Sequence, residues 1–338
     1  MNKHYLLYGS ERYALGILRP LQAAIRRRGD RAAWFFDGPG GEDLGADEEL
    51  LGSVAEARKF APVAVFAPGN HIPHLIPGVK VGVFHGFDAG KPRHIYIRGY
   101  FDLYCTTGPS DTAAFKRLAE QYGHFAVVET GWPKLDPYGD FKSVANDAKP
   151  VILYHSTFSP SWSAADILYA EIKRLVATDR WHWIVSLHPK MNAATVERYR
   201  ALQGDNLEYP EVDNILDLFP RADLMISDTS SALNEYLLWR KPVITFKNRR
   251  PGPQLIDIDD PALLQGAIET ALRRPPELMQ AITDYAHSLY PYRDSASSER
   301  VLAAVDQFIA AGARNPRRKP FNFWRRLKMR RRLGFWRP

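Results

Sequence analysis

Two series of short apolar segments, each followed by an amphipathic segment, constrain this chain more than any other feature. The first series lies between His4 and Val128, and the second lies between Pro150 and Phe246. Alternating strands and helices of this length predict parallel sheets with helices on both faces. We therefore expect an α/β fold of two doubly wound, Rossmann-like halves facing a cleft, with ligands bound where the strands end.

The predicted elements divide the chain at a linker rich in Pro, Gly, Asp and Lys, residues 133–150. The predicted strands are 4–8, 32–36, 62–67, 79–84, 103–106 and 126–128 before the linker, and 150–154, 183–187, 207–209, 224–226 and 243–246 after it. Helices are predicted at 164–178, 194–202, 215–219 and 231–239. The expected domains are an N-terminal Rossmann-like domain (1–140), a C-terminal domain (150–312) and a basic tail (313–338).

The single cysteine, Cys105, excludes a disulfide framework and a cysteine-based metal site. The first nine residues are too few and too polar for a signal peptide. No apolar run in the sequence approaches the length of a transmembrane helix. We therefore expect a cytoplasmic protein.

Positive charge is concentrated at the end of the chain. Eleven Lys or Arg and no acid lie after residue 313, and removing these charges from the net +7 leaves −4 for the rest. Aromatic and leucine side chains among arginines suit a bilayer interface, so we predict that the tail binds the inner face of the membrane. A nucleic-acid surface and a disordered end are the alternatives, with nucleic acid the less favoured partner. The predicted membrane residues are Phe323, Trp324, Arg325, Arg326, Leu327, Arg330, Arg331, Phe335 and Trp336.

The stretch Leu224–Tyr236 combines an apolar run, five small polar residues and then a helical pattern. It predicts a buried strand and a tight turn that begins a helix. Free N–H groups, hydroxyls and the positive end of the helix dipole at such a turn suit the phosphates of a nucleotide. Ser, Thr and Asp are also ordinary capping residues, so a capped helix without a ligand is the alternative.

Two histidines follow predicted strands directly. His85 comes after the strand that ends at Phe84, with Gly86 allowing a sharp turn, and His188-Pro189 comes after the strand that ends at Leu187. A histidine at a strand's carboxyl end is suited to general acid–base work or to donating a hydrogen bond to a phosphate. The alternative for each is a structural histidine bonded to the backbone.

Other candidates are less distinctive. Thr157 follows the first strand of the second half and is expected to cap a helix and touch the ligand. Gly131-Trp132-Pro133-Lys134 predicts a rigid turn. His71 and His74 lack partners at metal-ligand spacing, so no metal site is predicted. The chain has no Gly-x-Gly-x-x-Gly after its first strand, no P-loop and no Gly-x-Ser-x-Gly, which argues against a dehydrogenase, a P-loop kinase and an α/β-hydrolase.

Taken together and in order, these motifs resemble the CDP-glycerol glycerophosphotransferase family, whose members make glycerol-phosphate polymers such as teichoic acids. The chain departs from the family's pattern at Lys134, Thr229 and the loop 87–90. The motifs that carry the resemblance are His85-Gly86 with Lys91, Gly131–Lys134, Ile152–Thr157, His188-Pro189, Ser227–Ser231, Pro242–Phe246, and Arg293-Asp294 with Ser298-Glu299-Arg300.

The resemblance implies a GT-B-like fold and transfer of glycerol phosphate, or a related polyol phosphate, from a CDP-activated donor to a cell-surface polysaccharide or glycolipid acceptor, with release of CMP. It implies His85 as the base and His188 as a second catalytic residue; no metal or cofactor is required. The expected donor-binding residues are Lys134, Thr157, Ser227, Asp228, Thr229, Ser230, Ser231 and Glu235, with Asp228 ordering the loop and Glu235 facing the ribose.

Two other functions fit the same sequence features. A GT-B glycosyltransferase or epimerase that uses a UDP-sugar would share the fold and a Ser-rich nucleotide turn late in the chain. A non-catalytic protein that binds a nucleotide or a polymer is the second alternative.

Overall fold

The computed structural model describes residues 2–87, 96–144 and 149–336 and divides into two compact units. The first unit comprises residues 1–140 and 289–338, and the second comprises residues 141–288. We predicted that the second domain extends to residue 312. Residues 289–312 and the tail instead belong, by their contacts, to the first unit.

The first unit is built on a six-stranded sheet in the order β2-β1-β3-β4-β5-β6. Every neighbouring pair is parallel, and the strands are short apolar runs that are mostly buried, as expected when helices cover both faces. The strands are β1 (His4–Gly9), β2 (Arg31–Phe36), β3 (Ala64–Ala67), β4 (Val79–Gly82), β5 (Leu103–Thr106) and β6 (Ala126–Glu129).

Helices between these strands begin and end at recognisable signals. Ser53 accepts a hydrogen bond from the Glu56 amide at the start of one helix, and the Glu56 carboxylate accepts one from the Gly52 amide. Another begins with Pro109 and ends at Gly123, which has a positive φ. The helices along the first series are α1 (Tyr13–Arg27), α2 (Val54–Phe60) and α3 (Pro109–Tyr122).

The second unit contains another six-stranded parallel sheet, in the order β12-β11-β10-β7-β8-β9. Its strands are β7 (Val151–Tyr154), β8 (His182–Val185), β9 (Leu207–Glu208), β10 (Leu224–Ser227), β11 (Val243–Phe246) and β12 (Ile256–Ile258). Its helices are α4 (Ala165–Val176), α5 (Ala193–Arg200), α6 (Ala232–Tyr236), α7 (Leu264–Leu272) and α8 (Pro276–Leu289).

The remaining helices, α9 (Ser297–Ala310) and α10 (Phe323–Leu333), follow the second sheet in sequence and belong to the first unit. The helix α10 lies in the predicted tail. No helix within the described ranges is long and apolar enough to cross a bilayer.

The predicted α/β class with two parallel sheets is confirmed, and all eleven predicted strands form within a few residues of their predicted bounds. Two predicted helices are wrong in part. The helix predicted at 215–219 is a 3-10 helix, Ile215–Leu218. Residues 231–239 form the five-residue α6 followed by a 3-10 turn at Leu237–Trp239, where a single helix was expected.

The tail is an ordered part of the first unit. The Lys319 ammonium lies 2.7 Å from Asp102, and the Arg332 guanidinium lies 3.1 Å from Asp37. Met329 is buried, while Leu333 and Phe335 pack against the core. The alternative of a disordered end therefore does not describe residues 313–336. Phe335, one of the predicted membrane residues, is half-buried, and its ring packs against the core of the first unit beneath Arg58.

Candidate functional site

The Asp228 carboxylate organises the turn that follows β10 in the second unit. It is fully buried and accepts hydrogen bonds from the Ser156 hydroxyl (2.5 Å), the Thr157 amide (3.1 Å) and the Ala164 amide (3.1 Å). These donors all lie in the segment after β7, which is the neighbour of β10 in the sheet. Burial raises the pKa of Asp228, and its bond with Ser156 opposes that rise. Asp228 is thus the brace that joins two strand-end loops.

The residues after Asp228 present hydroxyl groups at the surface. The Thr229 hydroxyl accepts a hydrogen bond from the Arg249 amide (3.3 Å), and the Ser230 hydroxyl accepts one from the Ala232 amide (3.3 Å). Ser231 is exposed. Because α6 has only five residues, its dipole is much weaker than that of the longer helix predicted here. Binding at this turn therefore depends on side chains.

Two of the predicted donor-binding side chains lie inside the unit. Ser227 is fully buried, and its hydroxyl has no hydrogen-bond partner among the described residues. Glu235 is also buried. Neither position offers its side chain to solvent at the surface of the turn, in contrast to Ser230 and Ser231.

His188 follows β8, the neighbour of β7 on the other side. Its Nδ1 accepts a hydrogen bond from the Lys190 amide (3.0 Å), so in the neutral ring Nε2 carries the proton. Burial, and next the charge of Lys190, lower the pKa of His188. Both effects favour a neutral imidazole whose Nε2–H can donate a hydrogen bond.

His155 links the same two strands from inside. Its Nδ1 lies 2.6 Å from the Ser186 carbonyl oxygen and donates to it, and burial lowers the pKa of His155 to about 4. A neutral His155 therefore holds the ends of β7 and β8 together. His155 directly precedes Ser156 in the sequence, and Ser186 lies two residues before His188.

Cations and aromatic rings surround this turn, and they were not among the residues predicted from the sequence. The Phe158 and His188 ring centroids are 4.4 Å apart, and the Arg249 guanidinium lies 4.5 Å from the Trp162 ring centroid. Phe158, Trp162, Lys190 and Arg249 are all exposed. The available signal was the occurrence of aromatic and basic residues in loops directly after the predicted strands at 150–154, 183–187 and 243–246.

In the first unit, His85 lies after β4 on a strained turn. The buried residue before it, Phe84, has φ 59°, a left-handed conformation that is costly for a bulky side chain. At the sharp turn predicted with Gly86, the positive φ is that of Phe84. The Phe84 ring packs against Tyr104 and Phe115, which hold the residue in place. His85 itself is exposed.

The hydrogen bond of His85 fixes which ring nitrogen is free. Its Nδ1 lies 3.1 Å from the Pro68 carbonyl oxygen. Since a carbonyl only accepts, Nδ1 carries the proton, and Nε2 of the neutral ring keeps its lone pair. The backbone bond predicted for a structural histidine is thus present, and it leaves Nε2 able to accept a proton.

The Gly131–Lys134 motif supports this turn. The buried Trp132 indole donates to the Phe84 carbonyl oxygen (3.2 Å), and Gly131 has a positive φ of 82°. The half-buried Lys134 places its ammonium 4.9 Å from the Trp132 ring centroid. Trp132 is therefore hydrogen-bonded to the backbone of the residue before His85.

The late Arg–Asp and Ser–Glu–Arg motif braces the same region. Arg300 donates to the Thr130 carbonyl oxygen (2.7 Å) and pairs with Asp294 (2.7 Å). Asp136 accepts hydrogen bonds from the amides of Ser297 (2.9 Å) and Ser298 (2.8 Å) at the start of α9. These motif residues are structural contacts of the first unit.

Other candidates add no further site. Lys91 lies outside the described residues. His71 Nε2 lies 2.7 Å from an Arg98 nitrogen, and burial lowers the pKa of His71 to about 4. Across residues 2–87, 96–144 and 149–336, no three His, Cys, Asp or Glu side chains are grouped closely enough to hold a metal ion.

Residues 96–250 match the family model of CDP-Glycerol:Poly(glycerophosphate) glycerophosphotransferase. This part of the chain is similar to glycerophosphotransferases. The predicted resemblance and the assignment of a transferase are confirmed. The matched range includes Lys134, His188 and the Asp228 turn, whereas His85 lies before it. No curated protein sequence matches the chain.

Solved structures share the fold of this chain at low sequence identity. The S. aureus MnaA–UDP co-structure is 15% identical (TM-score 0.63, covering 95% of this chain and 100% of that chain). A UDP-N-acetylglucosamine 2-epimerase is 14% identical (TM-score 0.60, 95% and 99%). The wall teichoic acid polymerase TagF is 14% identical (TM-score 0.64, 92% and 90%). The predicted GT-B-like fold is thereby confirmed, and the likeness extends to the fold alone.

Proposed function

We propose that this protein moves glycerol phosphate, or a related polyol phosphate, from a CDP-activated donor to a polysaccharide or glycolipid acceptor and releases CMP. The family match over residues 96–250 is the observation that carries the proposal. A variant of TagF, which has the same fold, has been solved after a soak with CDPG. The exposed hydroxyls and cations of the Asp228 turn have the chemistry that such a donor requires.

In the proposed reaction, an acceptor hydroxyl attacks the phosphorus that bears the polyol. A new phosphorus–oxygen bond forms as the bond from phosphorus to the CMP oxygen breaks. The proton of the attacking hydroxyl passes to Nε2 of His85, the nitrogen left free by the bond to the Pro68 carbonyl oxygen. His85 is exposed and so is accessible to an acceptor.

The second unit supplies the groups that stabilise the phosphates. His188 donates through Nε2–H, and Ser230 and Ser231 donate through their hydroxyls. Lys190 and Arg249 supply the positive charge that offsets the developing charge on phosphate oxygens and on CMP. Phe158 and Trp162 offer exposed rings next to these groups for contact with the nucleoside. Thr157 and Lys134 remain proposed donor contacts.

We propose that the reaction takes place at the inner face of the cell membrane, a location that the basic and aromatic residues at the end of the chain favour.

Calorimetry with the intact chain tests the donor assignment. We expect CDP and CMP to bind and UDP to bind at least about tenfold more weakly. Arg249→Ala should weaken CDP binding by about tenfold or more, because it removes a charge-assisted contact. Arg174→Ala, which removes an exposed cation on α4, is the matched control and should change nothing. Tight UDP binding without CDP binding would instead support the UDP-sugar enzyme, which shares the fold.

A further inference from the structure

The outward side of the tail exposes four large aromatic side chains. The exposed fractions are 66% for Phe321, 55% for Phe323, 78% for Trp324 and 59% for Trp336. Single exposed apolar residues are ordinary, but Phe321, Phe323 and Trp324 contact one another, with ring centroids 6.4 and 5.3 Å apart, and so form a patch that calls for a partner. We call residues 321–336 the tail surface.

Positive charge is interleaved with these rings. The Arg326 guanidinium lies 4.7 Å from the Phe321 ring centroid, and Lys328 and Arg331 are exposed on α10. No acidic residue occurs after Arg314, whereas residues before it carry a net negative charge. The partner therefore combines negative charge with an apolar layer.

The opposite side of α10 is fixed to the first unit. Met329 is 5% exposed, the Arg325 guanidinium donates to the Arg98 carbonyl oxygen (2.9 Å), and Arg332 pairs with Asp37. The Asn315 amide donates to the Asp102 carbonyl oxygen (3.0 Å). The tail surface is thus preformed, and binding through it requires no folding step.

We propose that the tail surface is a preformed docking site for an anionic lipid bilayer. Trp324, Phe323, Phe321 and Trp336 enter the headgroup layer, while Lys328, Arg331 and neighbouring arginines contact lipid phosphates. This assignment divides the predicted membrane residues in two. Phe335 and Arg325 hold the tail to the protein, and the four exposed rings face the lipid.

Vesicle sedimentation of the full chain tests this proposal without any nucleotide, so its result is independent of the donor assignment. Wild-type protein should sediment with vesicles containing 30% phosphatidylglycerol and not with pure phosphatidylcholine vesicles, and salt should weaken binding. Phe323→Ala with Trp324→Ala should weaken binding about tenfold. Lys328→Gln with Arg331→Gln should weaken it about 25-fold, at about fivefold for each charge.

Matched controls use equivalent residues elsewhere. Ile167→Ala removes an exposed apolar side chain of α4, and Lys116→Gln with Arg117→Gln removes two exposed charges of α3. Both should bind vesicles like the wild type. All variants should melt like the wild type, because the altered side chains are exposed. Three results would overturn the proposal: no sedimentation of the wild type, equal binding by the tail variants, or preferential binding to single-stranded DNA over vesicles.

Discussion

The two strand-end histidines look alike in the sequence, yet their backbone partners prepare them for opposite tasks. In His85, Nδ1 donates to a carbonyl, so Nε2 can accept a proton. In His188, Nδ1 accepts from an amide, so Nε2 can donate one. This division agrees with a base that serves the acceptor and a donor that serves a phosphate. It depends on the folded positions of Pro68 and Lys190, which the pattern of strands does not predict.

Replacement of His85 tests its role as the base. His85→Asn keeps an amide that can donate to the Pro68 carbonyl oxygen but removes the basic nitrogen. We expect kcat for CMP release to fall by about 10²- to 10⁴-fold while CDP affinity changes little. His287→Asn, an exposed site on α8, is the control. Unchanged turnover of the His85 variant would remove this residue from the mechanism.

The buried His155 predicts how acid affects the second unit. Its pKa is about 4 when folded and about 6.5 when unfolded, so only the unfolded chain takes up a proton between these values. Stability should therefore fall by up to about 3 kcal/mol as the pH drops from 6.5 to 4. Hydrogen exchange of the β7 and β8 amides measures this loss. His155→Asn, which can still donate to Ser186, should reduce the dependence; an unchanged slope would contradict the assignment.

At the scale of elements, the strands could be predicted because each is an apolar run bounded by polar residues or glycine. The strand β12 was missed, since it has only three residues and includes an exposed Asp257 bonded to Thr245. The helix at Ser231 was predicted too long because the apolar pattern continues through the 3-10 turn. The tail helix was not predicted, because α10 has no clean apolar stripe and depends on contacts with distant residues such as Asp37 and Arg98.

The docked side of α10 can be tested independently of the membrane. Met329→Ala removes a buried side chain between α10 and the first unit and should lower the free energy of unfolding by about 2 kcal/mol. Trp324→Ala removes a larger but exposed side chain and should change it by less than about 0.5 kcal/mol. Urea denaturation of the full chain compares the two. Equal effects of the two substitutions on the free energy of unfolding would contradict the burial of Met329 against the first unit.

At the scale of the whole molecule, the fold does not determine the reaction. A UDP-N-acetylglucosamine 2-epimerase and a teichoic acid polymerase both share it with this chain. The ordered motifs, and the family match over residues 96–250, separate the transferase from the epimerase. The motifs therefore predicted the candidate site better than the architecture did. The position of its cations and rings, such as Arg249 and Trp162, depends on how the loops fold and could not be predicted from the sequence.

The most direct test of the donor is a turnover screen with purified protein and a membrane fraction as the source of acceptor. CDP-glycerol, CDP-ribitol and UDP-N-acetylglucosamine are supplied in parallel, and nucleotide products are separated by chromatography. We predict that CMP is released from a CDP-linked polyol, that its release depends on His85, and that the UDP-sugar is left unchanged. Conversion of the UDP-sugar without CMP release from either CDP-linked polyol would contradict the proposed function.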